Sequence, residues 1–372
     1  MYDMIDREAA IFNRGNCSRL KNVLQRAAAK EALTIGFIGG SITQGSLSSL
    51  PTTCYAYQIF KWWEDTFPNT AFTYVNAGIG GTTSQFGVAR VEADLLSKKP
   101  DFVIIEFSVN DESDEHFLET YEGLVRKVYY SSEKPAVMLL HNVYYHTGGN
   151  AQLQHGKIGR YYQLPCISMQ SSIYPQVVSG QILNREITPD DLHPNDKGHA
   201  LVASMVTYFL EKINKVKENE EEVEEQQKVP MTYNDYENVV RYQNKNILWQ
   251  GEGFDVDQSE QKDITDCFKH GWTAREKGAH ITFVVEASSL AIQYRRSVKQ
   301  PAPIASVVID GKTDKAVLLD GNFDETWGDK LELTTVLEHG ERKKHTVQIT
   351  IVEGEEMNKK MEVPFYLVSV IG

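Results

Sequence analysis

Between residues 33 and 213 the chain alternates short, wholly apolar runs with segments of helical periodicity, and no other feature restricts the fold so much. A run that is apolar on both sides has to be covered on both sides. Runs separated by helices are joined as βαβ units, so the pattern demands a parallel sheet between two helical layers. The expected strands are 33–38 (LTIGFI), 72–75, 102–107 (FVIIEF), 136–140 (AVMLL) and a weaker run over 165–169. Helices are expected over 57–64, 88–96 and 121–130. Residues 1–30 read as helical and polar, with Arg19, Lys21, Arg26 and Lys30 facing water. In the last helix Leu201, Val202, Met205, Val206, Phe209, Leu210 and Ile213 recur at steps of three and four, which makes one apolar stripe.

That helix runs into Lys217-Glu218-Asn219-Glu220-Glu221-Glu222-Val223-Glu224-Glu225, and Pro230 closes the stretch. Like charges at this density repel one another and bury nothing, so 218–230 reads as an acidic linker between domains 1–217 and 231–372. Beyond it the texture changes. Partly alternating runs at 280–285, 290–294, 306–310, 316–319, 345–352 and 365–371 are separated by Asp310-Gly311, Asp320-Gly321, His339-Gly340 and Glu353-Gly354. This is the spacing of an antiparallel β-sandwich.

The chain carries a formal net charge of −13, a field that repels nucleic acid and anionic membranes and leaves a neutral substrate unopposed. Its four cysteines, Cys17, Cys54, Cys166 and Cys267, form no CxxC pair, so isolated thiols are expected rather than a zinc site or a disulfide framework. Neither a basic leader followed by an apolar run nor a bilayer-length apolar stretch stands in the sequence, and a cytoplasmic protein is the expectation.

Four loops carry residues suited to chemistry. Gly39-Gly40-Ser41-Ile42-Thr43-Gln44-Gly45 follows the first strand, where ligands meet an open α/β sheet. A phosphate loop is ruled out there, because Gly45 is followed by Ser46-Leu47 and not by Lys-Ser/Thr. Asp190-Asp191-Leu192-His193-Pro194-Asn195 precedes the last helix. A serine hydroxyl needs a base, and the base needs an anion to fix its tautomer, so Ser41, His193 and Asp190 form a candidate catalytic set with Asp191 as the competing orienter. Asn76-Ala77-Gly78-Ile79-Gly80-Gly81 follows the second strand and Phe107-Ser108-Val109-Asn110-Asp111 the third. Glycine N–H groups and the Asn110 amide are suited to an oxyanion. Each loop alone suits an ordinary turn; their order and strand-end positions are what one active site requires.

With these blocks the chain resembles the SGNH, or GDSL-like, serine hydrolases. The matching stretches are Gly39-Gly40-Ser41-Ile42-Thr43, Asn76-Ala77-Gly78-Ile79-Gly80-Gly81, Val109-Asn110-Asp111 and Asp190 to His193. The resemblance implies a three-layer αβα, flavodoxin-like domain with a five-stranded parallel sheet over roughly residues 30–215. It implies Ser41 as nucleophile, His193 as base and Asp190 as its orienter, with the N–H groups of Ser41 and Gly81 and the side chain of Asn110 as oxyanion donors. Gly40 stands where the family often has aspartate. No metal or organic cofactor is implied.

The pairing with a β-sandwich is similar to carbohydrate esterase family seventeen. That resemblance implies a jelly-roll domain related to carbohydrate-binding modules, and as partner an O-acetylated mannan or manno-oligosaccharide that loses acetate. Other SGNH esterases (lipase, arylesterase, thioesterase), an acetylxylan esterase and a non-catalytic sugar-binding protein are the alternatives. In the sandwich, Trp249 and Trp272 are expected in a core or an interface. Trp327, in the polar loop 322–328, is equally suited to a sugar platform leaning over the crevice. A purely structural β domain, or one that builds a homodimer face, is the further alternative. His141 and His146 flank the stretch after the fourth strand and read as structural or crevice-lining, since no further metal ligands accompany them.

Overall fold

The computed structural model describes residues 5–216 and 226–372, and the chain divides into two units, Met1–Glu237 and Asn238–Gly372. Residues 217–225, most of the expected acidic linker, lie outside the described residues.

In the first unit six strands, β1 (Ile11–Asn13), β2 (Leu33–Gly39), β3 (Phe72–Gly78), β4 (Phe102–Glu106), β5 (Ala136–His141) and β6 (Cys166–Ser168), form one sheet in the order β1-β6-β5-β4-β2-β3. Its helices are α1 (Ser18–Ala28), α2 (Ser41–Gln44), α3 (Tyr55–Thr66), α4 (Ser84–Asp94), α5 (Glu115–Tyr129), α6 (Gln152–Tyr161), α7 (Met169–Val178), α8 (Asn184–Ile187) and α9 (Asp196–Lys215). Strands β2 to β6 are parallel, with Ile35 opposite both Tyr74 and Phe102. Successive residues of these runs face opposite layers. Ile35, Phe37, Ile104, Met138 and Leu140 join a core with α1, α3 and α9, while Val103, Ile105 and Leu139 are buried as well. The seven stripe residues of α9 are all buried.

Chain order reverses between β2 and β4: the chain steps from β2 out to β3, then returns past β2 to β4. A crevice opens at such a switch point, outside the carboxyl ends of the strands. Ser41 follows β2 and Asn110 follows β4, so the topology brings these two segments together.

Two expectations for residues 1–30 are corrected. Among the described residues of this stretch only Ser18–Ala28 is α-helical, and Ile11–Asn13 adds an antiparallel edge strand to β6, so the sheet is mixed and six-stranded. Lys21 is buried rather than exposed, because α1 turns that side toward the core with Leu20 and Leu24.

The boundary falls at Glu237–Asn238, seven residues beyond the expected 230. Buried Glu122 of α5 accepts the N–H groups of Met231 (2.7 Å) and Thr232 (2.8 Å) and the Thr232 hydroxyl (2.6 Å). Arg126 of the same helix pairs with Glu237 at 2.6 Å. These bonds hold 231–237 to the first unit. Among the described residues no helix is long and apolar enough to cross a membrane.

The second unit is a sandwich of two antiparallel sheets, and consecutive strands from Trp272–Ala274 to Val317–Asp320 largely alternate between them. His280–Ala287 pairs with Lys343–Glu353 so that Ile281 meets Ile349 and Phe283 meets Val347, all inward. Trp272 is fully buried in this core, and Trp249 packs against it. The sequence reading lacked the strand Lys330–Leu337, whose residues are all half-buried and which therefore shows no clean alternation.

Candidate active site

Ser41 opens α2 immediately after β2 and is 8% exposed. His193 Nε2 stands 2.7 Å from Ser41 Oγ, and His193 Nδ1 stands 2.6 Å from Asp190 Oδ2. With Nδ1–H donating to the carboxylate, Nε2 is left to accept the serine proton. Asp190 Oδ1 also accepts the N–H groups of His193 (2.7 Å) and Leu192 (3.1 Å). Burial alone would raise the Asp190 carboxyl; the bonds from His193 and Leu192 outweigh it and hold the pKa below the usual aspartate value, so this group stays anionic. Asp191, the competing orienter, turns away at φ 71° and pairs with Arg185 at 2.9 Å.

Asn110 and Gly80 stand beside the Ser41 turn. Asn110 lies against the Ser41 turn: a Cβ on Gly40 would stand 2.1 Å from Asn110 Oδ1. This gives the Gly40 departure a physical reason, since any side chain there would displace the asparagine. Asn110 Oδ1 is buried and makes no hydrogen bond among the described residues. In the glycine block, Gly80 N–H donates to Gln44 Oε1 at 2.6 Å, so it is already engaged; Gly81, at φ 67°, makes the turn that follows. Two ties hold this block to the Ser41 turn. Asn76 Nδ2 donates to Thr43 O (2.8 Å), and buried Arg90 donates to the carbonyls of Ala77 (2.8 Å) and Gly39 (3.1 Å).

Several supporting residues escaped the sequence reading. Glu106 ends β4 fully buried; it accepts Ser108 N–H (3.2 Å) and Oγ–H (3.1 Å) and lies 3.4 Å from Thr43 Oγ1. Burial pushes its pKa up to about 7 against the hydrogen bonds from Ser108 and Asn142. Its signal was present: a glutamate inside FVIIEF is out of place in a strand covered on both faces. Asp111, raised by burial to about 7, accepts Ser84 N–H (2.9 Å) at the start of α4 and meets His155 Nε2 at 3.1 Å. Asp196 accepts Ser49 N–H (2.7 Å), Ser49 Oγ–H (2.5 Å) and Thr53 Oγ1–H (2.6 Å), which lower its pKa to about 2. His199, lowered by burial to about 4, reaches Ser46 O at 3.2 Å. The start of α9, the helix that follows His193, is thus fastened to the segment after Ser41.

His141 is fully buried, edge-on to Phe12, whereas His146 is exposed. Trp327 belongs to the second unit, where it is 63% exposed and edge-on to Phe323 at 5.2 Å.

Comparison with known proteins bears on the family of the chain. The sequence model of the GDSL-like Lipase/Acylhydrolase family matches residues 37–201. Two crystal structures of a two-domain esterase active on acetylated mannans, one of them co-crystallized with mannopentaose, are 63% identical in sequence to the chain. They cover 99% of it and 98% of their own length, with TM-scores of 0.96 and 0.94. An acetylxylan esterase of Geobacillus stearothermophilus is 26% identical over 198 residues, 45% of this chain and 89% of its own.

Proposed function

The chain belongs to the GDSL-like lipase/acylhydrolase, or SGNH hydrolase, family, and on that premise we propose that it is a carbohydrate esterase that removes acetyl groups from acetylated mannan and its oligosaccharides. The reading is carried by the 63% identity, along both units, to an esterase active on acetylated mannans. The unbroken hydrogen-bonded run Asp190–His193–Ser41 supports it.

The reaction is a two-step acyl transfer. Ser41 Oγ attacks the acetyl carbonyl carbon while His193 Nε2 takes the hydroxyl proton. The carbonyl oxygen becomes an oxyanion held by the N–H groups of Ser41 and Gly81 and by Asn110 Nδ2. The bond from carbon to the sugar oxygen then breaks, and His193 returns the proton to that oxygen. Water attacks the acetyl-serine by the same route and releases acetate. Asp190 holds the imidazole in the productive tautomer and offsets its charge in both steps. Trp327 on the second unit is the proposed contact for the sugar chain, since an exposed indole offers a face to the C–H surface of a pyranose.

Mass spectrometry of acetylated manno-oligosaccharides after incubation, beside an acetylated xylan control, tests the substrate. Loss of acetyl groups from the mannan set is expected. Preference for xylan would favour the second reading, suggested by the acetylxylan esterase relative. Faster cleavage of butyrate or longer esters than of acetate would point to a lipase-like member of the family.

A further inference from the structure

The acyl-transfer steps leave unused a loop that is bonded to both halves of the site. This is the segment 142–151, after β5. On one side Ser108 Oγ lies 3.1 Å from Asn142 O and Ala151 N–H donates to Ser108 O (2.7 Å), two residues from Asn110. On the other side Tyr145 N–H donates to Asp191 O (2.8 Å), inside the loop that carries Asp190 and His193. The segment therefore spans the interval between the proposed oxyanion donor and the base.

It is also stiff. Tyr144 N–H donates to Gly149 O (3.1 Å), Gly148 N–H donates to Tyr144 O (2.7 Å), and Gln170 Nε2 from α7 donates to Gly148 O (2.6 Å). Val143 and Tyr145 are buried and pin the loop, while Tyr144 between them is 38% exposed. Burial together with the charge of Asp190 raises the Tyr144 hydroxyl, in keeping with a ring that lies close to the catalytic carboxylate. Among the described residues of the first unit the other exposed Phe, Tyr or Trp side chains are Tyr161 and Tyr233. Tyr161 ends α6, bonds Val229 O and lies under the Lys228 ammonium, and Tyr233 stands in the segment bound to α5. Tyr144 alone of the three stands on a loop at a carboxyl end of the sheet.

We propose that Tyr144 is a substrate-binding residue, a stacking platform for a pyranose ring of the oligosaccharide beside the acetylated sugar. The proposal rests on the esterase reading above and adds to it a sugar subsite carried by the first unit itself. A tyrosine on a braced loop suits this task, because it offers a broad amphipathic face and loses little rotamer freedom on contact.

The test compares kcat/KM on an acetylated manno-oligosaccharide with kcat/KM on a small aryl acetate, for wild type, Tyr144→Ala and Tyr144→Phe. A stacking role lowers the oligosaccharide-to-aryl ratio about three- to tenfold in Tyr144→Ala, mainly through KM, and Tyr144→Phe restores it. An unchanged ratio in Tyr144→Ala overturns the platform, whether both activities hold or both fall together, since a joint fall marks a structural role. Wild type that cleaves the aryl acetate but leaves acetylated oligosaccharides intact overturns the carbohydrate-esterase reading and the platform with it.

Discussion

The two units bury their polar groups differently. Around the crevice of the first unit, Arg90, Glu106, Asp111, His155 and His199 are buried at the carboxyl ends of the strands or on the helices behind them. The second unit, among its described residues, buries Gln293 against Ser369 at 2.8 Å and His345 against Asp310 at 2.8 Å, but no carboxylate, ammonium or guanidinium is fully buried. Burying an ionisable group costs several kcal/mol unless its partners compensate. A fold that keeps so many under one set of loops is using them to fix those loops. The interior of the sandwich, Trp272, Phe283, Val347, Ile349 and their neighbours, is apolar and carries no such cluster.

The largest effects should therefore come from the first unit. Ser41→Ala should lower kcat on an aryl acetate by roughly four to six orders of magnitude without moving the unfolding transition of either unit. A loss below about a hundredfold in a stopped assay would remove Ser41 from the chemistry. Asp190→Asn should cost about a thousandfold or more, because the amide no longer holds the productive tautomer of His193 or offsets its charge.

Gly40→Ala probes the departure from the family's aspartate. A methyl group 2.1 Å from Asn110 Oδ1 must push that side chain aside. Losing one oxyanion donor costs roughly a hundred- to a thousandfold in kcat, with KM little changed. The double variant Gly40→Ala/Asn110→Ala should be no slower than Asn110→Ala alone. Additive losses would mean that Gly40 acts by some other route.

The next effect lies in stability. Glu106 is raised by burial from the ordinary 4.5 to about 7, so the folded state holds its proton more tightly than the unfolded chain does. The stability it contributes is fully present below about pH 4.5 and is lost as pH rises through about 7. His199, lowered to about 4, acts with the opposite sign between about pH 4 and its ordinary 6.5, and hides part of the slope in the wild type. Glu106→Gln imitates the protonated acid. Between pH 5 and pH 8 the variant should gain about 1–3 kcal/mol relative to wild type in urea unfolding of the first unit. A difference that does not vary with pH would refute the raised pKa.

How much of this was legible follows from the kind of signal each residue sends. The αβα layering and the sandwich were readable because hydrophobic period and turn residues are local properties. Residues 39–45 and 190–195 were readable because their spacing is fixed by the chain itself. Asp111 paired with His155, or Asp196 with Ser49 and Thr53, joins residues 44 and about 145 positions apart, and no local pattern announces such a pairing. The strand Ile11–Asn13 was missed because three residues are too few to show a period. The boundary was misplaced because Glu122 captures 231–232 through backbone N–H groups, which carry no sequence identity.

The smallest expected effect tests the second unit. Trp327 is 63% exposed, and its ring meets the edge of Phe323, over which Arg296 and Lys330 lie at 5.3 and 6.0 Å. A core residue would not leave so much indole in water, and truncating it should leave the sandwich about as stable as before, within ±0.5 kcal/mol. If the indole holds sugar, Trp327→Ala should lower kcat/KM on a long acetylated oligosaccharide about two- to fivefold, with a smaller effect on a disaccharide. The gradient with chain length matters more than the size of the loss, because a contact with sugars other than the acetylated one is made only by a longer chain. Equal losses on long and short substrates would assign Trp327 no sugar contact and leave the sandwich a structural role. A graded loss would show that the second unit, although it buries no charge, takes part in choosing the substrate.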